Sequence, residues 1–137
     1  MNFQEAYNYI ISSKKFSKNH TAAKTPAKRL KNFKLFLKIL NNPEKKIPHY
    51  IHVTGTSGKG STCLMLASIL MAGGKQIGVM TSPHLTNIAE RWQINGKQMS
   101  KKEFIKIATI IKNKIKQFKN ISEYRLSFFD LTTALGL

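Results

Sequence analysis

A chain of 137 residues with 42% apolar side chains is the size of one ordered domain with a buried core, which excludes a disordered or low-complexity class. The net charge of +17 raises nucleic acid as a partner, but of 23 basic residues only Arg29, Arg91 and Arg125 are arginine, and the lysines run along the whole chain. No aromatic-basic recognition signature accompanies them, so no nucleic-acid partner is expected, and the single Cys63 excludes an internal disulfide. The N-terminus lacks the basic start and apolar core of a signal peptide, and the Leu64–Ala72 run is too short to span a bilayer. A cytoplasmic protein without a membrane partner is the expectation.

Phe3, Ala6, Tyr7, Ile10 and Ile11 recur at helical spacing and predict a short amphipathic helix over 3–13. Residues 14–24 are polar and basic, reading as an exposed loop, with a substrate flap as the functional alternative. Thr25-Pro26 starts a helix whose apolar face is Leu30, Phe33, Leu37 and Leu40, stopped by Asn41-Asn42-Pro43. An apolar strand at Tyr50–Thr54 follows, then a glycine-rich loop, then a helix to Ala72 capped by Gly73-Gly74. Gln76–Met80 predicts a second buried strand, making a parallel βαβ unit. It ends at Thr81-Ser82-Pro83-His84, where ligands of open α/β sheets collect. Arg91–Ile94, Asn95-Gly96 and Lys97–Met99 read as a hairpin. Ser100-Lys101-Lys102-Glu103 is a capping box opening a helix with Phe104, Ile107, Ala108, Ile111, Ile115 and Phe118 on its buried stripe. A second box, Ser127–Asp130, opens the last apolar run. Trp92, His20 and His49 read as packing or surface, and Cys63 as a small buried residue.

The chemistry concentrates in Gly55-Thr56-Ser57-Gly58-Lys59-Gly60-Ser61-Thr62. A strand that delivers a glycine-rich turn onto a helix N-terminus aims unpaired N–H groups and the positive end of the helix dipole at one point, which suits a phosphate. Lys59 adds a mobile full charge, and the Ser61 and Thr62 hydroxyls can bind Mg²⁺ or donate to phosphate oxygens. The spacing is not that of a Walker A loop: two residues separate Gly55 from Gly58, and Gly60 follows Lys59 where that loop has Ser or Thr.

The stretch His52–Thr62 closely resembles the ATP loop of the folylpolyglutamate synthase and dihydrofolate synthase family, within the Mur-ligase superfamily. Asn41-Asn42-Pro43, Thr81–Leu85 with Glu90-Arg91 and Ile94-Asn95-Gly96, and Leu126–Asp130 agree in order with further family segments. The resemblance implies an α/β fold: a P-loop-type parallel sheet with flanking helices, as an incomplete N-terminal Mur-ligase-like ATPase domain. Residues 1–137 would be the N-terminal part of the ATP-binding domain, with the C-terminal glutamate-binding domain absent from this chain. It implies an ATP-dependent amide ligase that adds L-glutamate to dihydropteroate or a folate polyglutamate tail through an acyl phosphate, with ATP and Mg²⁺ as cofactors and a monomer at full length. Gly55, Thr56, Ser57, Gly58, Lys59, Gly60, Ser61 and Thr62 would bind the nucleotide, Lys59 would stabilise the transferring charge, and Ser82 would ligate Mg²⁺. Ser127, Phe128, Phe129 and Asp130 would lie against the pterin.

Departures from the family pattern are Ser57 for Asn, Asp130 for Glu, and Lys24–Ala27 where a "GLxR" segment would precede Arg29. Two alternatives stay open at this point: a peptidoglycan-type amino-acid ligase, and a non-catalytic nucleotide- or nucleic-acid-binding module. His84 reads equally as a functional group or a turn residue, and Asp130 as a helix cap, a pterin contact, or both.

Overall fold

The computed structural model describes residues 1–13 and 25–137; the basic loop expected at 14–24, with His20, lies outside them. In chain order the elements are α1 (Phe3–Ser12), α2 (Pro26–Ile39), a 3-10 turn (Pro43–Lys46), α3 (Lys59–Ala72), β1 (Gly78–Met80), a second 3-10 turn (Ile88–Arg91), β2 (Trp92–Ile94), β3 (Lys97–Gln98), α4 (Lys101–Lys119) and α5 (Phe128–Gly136). They form two compact units, Met1–Pro48 with Phe104–Leu137, and His49–Glu103.

The first unit is helical. Local chemistry starts its helices: the Asn2 side chain accepts from Glu5 N–H at 2.8 Å while Glu5 accepts from Asn2 N–H at 3.0 Å, and Thr25 caps α2 through Lys28 N–H at 3.3 Å. Helix α2 stops in a left-handed Asn41, with Asn42 N–H reaching back to the Leu37 carbonyl at 2.9 Å. Phe36, Phe104 and Phe118 are wholly buried, with Phe36 meeting Phe118 edge-on at 5.5 Å and Phe104 tilted against Phe3 at 5.4 Å. The buried stripe of α4 is Phe104, Ala108, Ile111 and Phe118, and Ile107 and Ile115 lie at its margins. The expected face of α2 holds at buried Leu37 and half-buried Phe33 and Leu40, but Leu30 is 54% exposed and Phe36, outside that face, is wholly buried. Apolar residues thus occupy two overlapping faces of this helix, and the inward one is turned towards Phe36.

In the second unit, α3 packs on a three-stranded sheet of order β1-β2-β3. The sheet is antiparallel throughout, with Gly78 opposite Ile94 and Met80 opposite Trp92. Residues 50–54 carry no strand, and β1 has only one residue of intermediate burial between two exposed ones, so the parallel pairing of two buried strands is not formed among the described residues. The 92–94 arm is instead the nearer partner along the chain, and the short intervening loop lowers the entropy of closing that pair. The hairpin forms as its Asn95-Gly96 turn demands, both residues having positive φ, of 49° and 74°. Leu64, Met65 and Ile69 on α3, with Tyr50 and Ile51 before it, are exposed. Trp92 is buried as a packing residue, Cys63 is half-buried, and His49 is exposed.

A candidate phosphate-binding loop and a fastened turn

Gly58 caps α3 in the left-handed region at φ 74°, a conformation that any side chain would strain, and it turns the chain from the Gly55–Ser57 loop into the helix. The first intrahelical bond runs from Thr62 N–H to the Gly58 carbonyl at 2.9 Å, and the Thr62 hydroxyl donates to the same oxygen at 2.9 Å. Among the described residues no bond uses the N–H groups from Gly55 to Ser61, which lie before and at the positive end of a 14-residue helix. Lys59 folds back over them, its Nζ donating to the Gly55 carbonyl at 2.6 Å and the Thr56 carbonyl at 3.1 Å. The ammonium thus sits on the loop that would cradle a phosphate.

Helix α3 ends in a paired bond, Gly74 N–H to the Met71 carbonyl at 2.9 Å and Lys75 N–H to the Leu70 carbonyl at 3.1 Å. From that turn the chain enters β1, which packs on the same helix. Ser82, two residues beyond β1, and the Gly55–Thr62 loop belong to one compact unit.

The turn after Ser82 is held by one carboxylate. Glu90 Oε2 accepts from Leu85 N–H at 2.8 Å, and Oε1 accepts from Thr86 N–H at 3.1 Å, the Thr86 hydroxyl at 2.5 Å and Asn87 N–H at 2.8 Å. Led by the Thr86 hydroxyl, these bonds lower the Glu90 pKa to about 2. Buried Arg91 donates from Nε to His84 Nδ1 at 2.8 Å, which requires an unprotonated Nδ1 and gives His84 a fastening role. Thr81 N–H closes the base on the Arg91 carbonyl at 2.9 Å. The fastener Glu90 escaped the sequence reading as anything more than a motif letter, although Asn87-x-x-Glu90 has the spacing of a capping box and forms one.

A group whose folded pKa is depressed stabilises the fold above its ordinary value, here 4.5, and that contribution disappears as pH falls towards 2. Glu90→Gln is therefore expected to lower the thermal midpoint at neutral pH and to flatten its acid-side fall between about pH 5 and 2. Melting curves of both proteins across that range check it; parallel pH profiles would remove Glu90 from this role.

Among the described residues, no three or more His, Cys, Asp or Glu side chains gather as a metal cage. The oxygens available to a cation are hydroxyls: Ser82, exposed at the strand end, and Thr62, on the first turn of α3. Hard oxygens suit Mg²⁺, which keeps waters and takes other ligands from nucleotide phosphates. The donor set fits an ion bound together with nucleotide and not one held alone.

Ser127, Phe128, Phe129 and Asp130 lie in the first unit. The capping box forms as expected: Asp130 N–H donates to Ser127 Oγ at 3.2 Å, and Asp130 Oδ2 accepts from Ser127 N–H at 2.7 Å and Ser127 Oγ at 2.8 Å. Phe129 is nevertheless 64% exposed at the start of α5, an aromatic face not used by the core.

A probable bifunctional folylpolyglutamate synthase/dihydropteroate synthase of Halobacterium salinarum is 33% identical over 101 residues, covering 74% of this chain and 11% of its own. A dihydrofolate synthase/folylpolyglutamate synthase of Bacillus subtilis is 34% identical over 95 residues, 69% of this chain and 22% of its own. A solved folylpolyglutamate synthase complex with AMPPCP and folate matches 99% of this chain with a TM-score of 0.83 at 26% identity. The chain belongs to the folylpolyglutamate synthase/dihydrofolate synthase family. No family model matches. The chain spans 11% and 22% of those two curated family members and 31% of the solved one. The match covers 99% of this chain and so includes residues of both compact units.

Proposed function

We propose that residues 1–137 are the N-terminal, ATP-binding part of a ligase that joins L-glutamate to dihydropteroate or to a folate polyglutamate tail, the glutamate-binding domain lying outside these residues. The observation that carries this reading is the Gly55–Thr62 loop, with its unbonded N–H groups at a helix N-terminus and Lys59 folded onto its carbonyls, in a chain that matches an AMPPCP- and folate-bound relative. Phosphoryl transfer needs positioned oxygens and neutralised charge more than covalent help from the protein. The loop amides orient the triphosphate and Lys59 balances charge building on the transferring group. A substrate carboxylate oxygen then bonds to the γ-phosphorus as the bond to ADP breaks; the glutamate amine displaces phosphate from the acyl carbon and loses a proton. Mg²⁺, held by the phosphates with the Ser82 hydroxyl, would neutralise phosphate charge.

Exposed Phe129 offers a stacking face for the pterin and Asp130 an acceptor for its N–H donors. The exposed apolar residues Ile51, Leu64, Met65 and Ile69 support a further proposal, that 50–54 and β1 enter a parallel sheet whose remaining strands come from outside 1–137. Active as a monomer, the whole enzyme would work without membrane or nucleic acid.

The test is a chimera in which residues 1–137 replace the matching segment of the Bacillus subtilis relative. ADP release that depends on both L-glutamate and dihydropteroate or folate, and that is lost in the Lys59→Ala chimera, is the expected result. A folded chimera that releases ADP equally with and without these substrates would sink the reading.

A further inference from the structure

Asp130 makes more hydrogen bonds than a cap needs, and all of its acceptor bonds are on one side. Its Oδ2 accepts from Ser127 N–H, Ser127 Oγ and, at 3.0 Å, the Tyr124 hydroxyl, whereas Oδ1 accepts from nothing among the described residues. The Ser127 N–H bond to Asp130 and the Asp130 N–H bond to Ser127 Oγ complete the capping box by themselves. They do not settle which oxygen is used, because rotation about the terminal carboxylate torsion is soft and exchanges the two. Tyr124 lies outside the helix, is 4% exposed, and cannot follow such a rotation. Its own backbone is tied down: Tyr124 N–H donates to Ser122 Oγ at 3.1 Å, and Ser122 Oγ donates to Asn32 Oδ1 of α2 at 2.8 Å.

We propose that Tyr124 is a positioning residue of the pterin subsite, its hydroxyl locking Asp130 by Oδ2 so that Oδ1 is kept for the amino and ring N–H donors of the ligand next to the exposed Phe129. The inference rests on the folate-ligase reading and adds to it a residue with no role in that reading. Burial, then the Asp130 charge and hydrogen bond, raise the Tyr124 pKa against the opposing charge of Arg29, so the phenol remains a donor through the neutral range. With Oδ2 engaged, the lone pairs of Oδ1 remain to accept from a ligand that presents a single donor edge.

The experiment titrates the chain with folate and with an analogue whose 2-amino group is replaced by methyl. Wild type is expected to prefer folate by about 10- to 100-fold, the scale of one hydrogen bond to a charged group. Tyr124→Phe should erase most of that preference while ATP·Mg affinity stays unchanged. A purely structural role would weaken both folate ligands alike, so equal loss, or none, overturns the role of Tyr124 and leaves the folate reading standing. Wild type binding neither ligand overturns both. Should Tyr124→Phe lose its cooperative melting, Ser122→Ala, which frees the Tyr124 backbone and leaves the phenol, is expected to reduce the preference in part; a preference unchanged in that variant overturns the proposal.

Discussion

Lys59→Ala is expected to weaken ATP·Mg binding by about 10- to 100-fold, the scale of one or two lost hydrogen bonds to a charged group, without unfolding the protein. The ammonium lies 2.6 Å from the Gly55 carbonyl and 3.1 Å from that of Thr56, both on an exposed loop where water can replace it. Its stabilising role in the empty loop is therefore small, whereas a bound triphosphate would lose its one full charge at that point. Lys59→Arg should recover little, because a planar guanidinium cannot sit as a compact charge above two converging carbonyls. Isothermal titration with Lys75→Ala as control separates this from the general field of a +17 chain. Lys75 is an exposed lysine of the same unit, and its loss should matter little. Equal losses in the two variants, shrinking together as salt is raised, would mean that charge alone binds the nucleotide.

Phe36→Ala is expected to lower stability by about 3–5 kcal/mol, the usual range for a buried phenylalanine. That is a large part of the roughly 5–15 kcal/mol that holds a domain folded. Phe36 is wholly buried and its ring meets Phe118 edge-on, so truncation leaves a cavity and removes the aromatic contact together. Leu30→Ala on the same helix should cost well under about 1 kcal/mol, since Leu30 is 54% exposed. Urea denaturation of the two variants checks both numbers, and a larger loss from Leu30 would restore the inward face expected from the sequence.

That contrast shows where the sequence was legible. Features decided within a few residues were readable: the Thr25, Ser100 and Ser127 caps, the Gly73-Gly74 stop, and the Asn95-Gly96 turn, whose positive φ values leave few alternatives. Features decided by distant partners were not. Helix α2 carries apolar residues on overlapping faces, so periodicity alone could not choose Phe36 over Leu30. Strand β1 pairs with β2 rather than with 50–54 because pairing depends on which edge is nearby, information absent from the apolar run itself. The candidate site divides the same way. The glycine loop with Lys59, and the Ser127–Asp130 box, are contiguous motifs. Glu90 and Tyr124 act through a folded turn that must first bring their partners within reach.

The central claim, that Gly55–Thr62 is a nucleotide cradle, is tested most directly by following amide resonances of the isotopically labelled chain as ATP·Mg is added. The expected result is a saturable set of shifts centred on Gly55 to Thr62, with Ser82 included, that persists at about 0.3 M salt, where exposed charges are largely screened. Shifts spread over the lysine faces of α2 and α4 that vanish in salt, with Gly55–Thr62 unmoved, would contradict it.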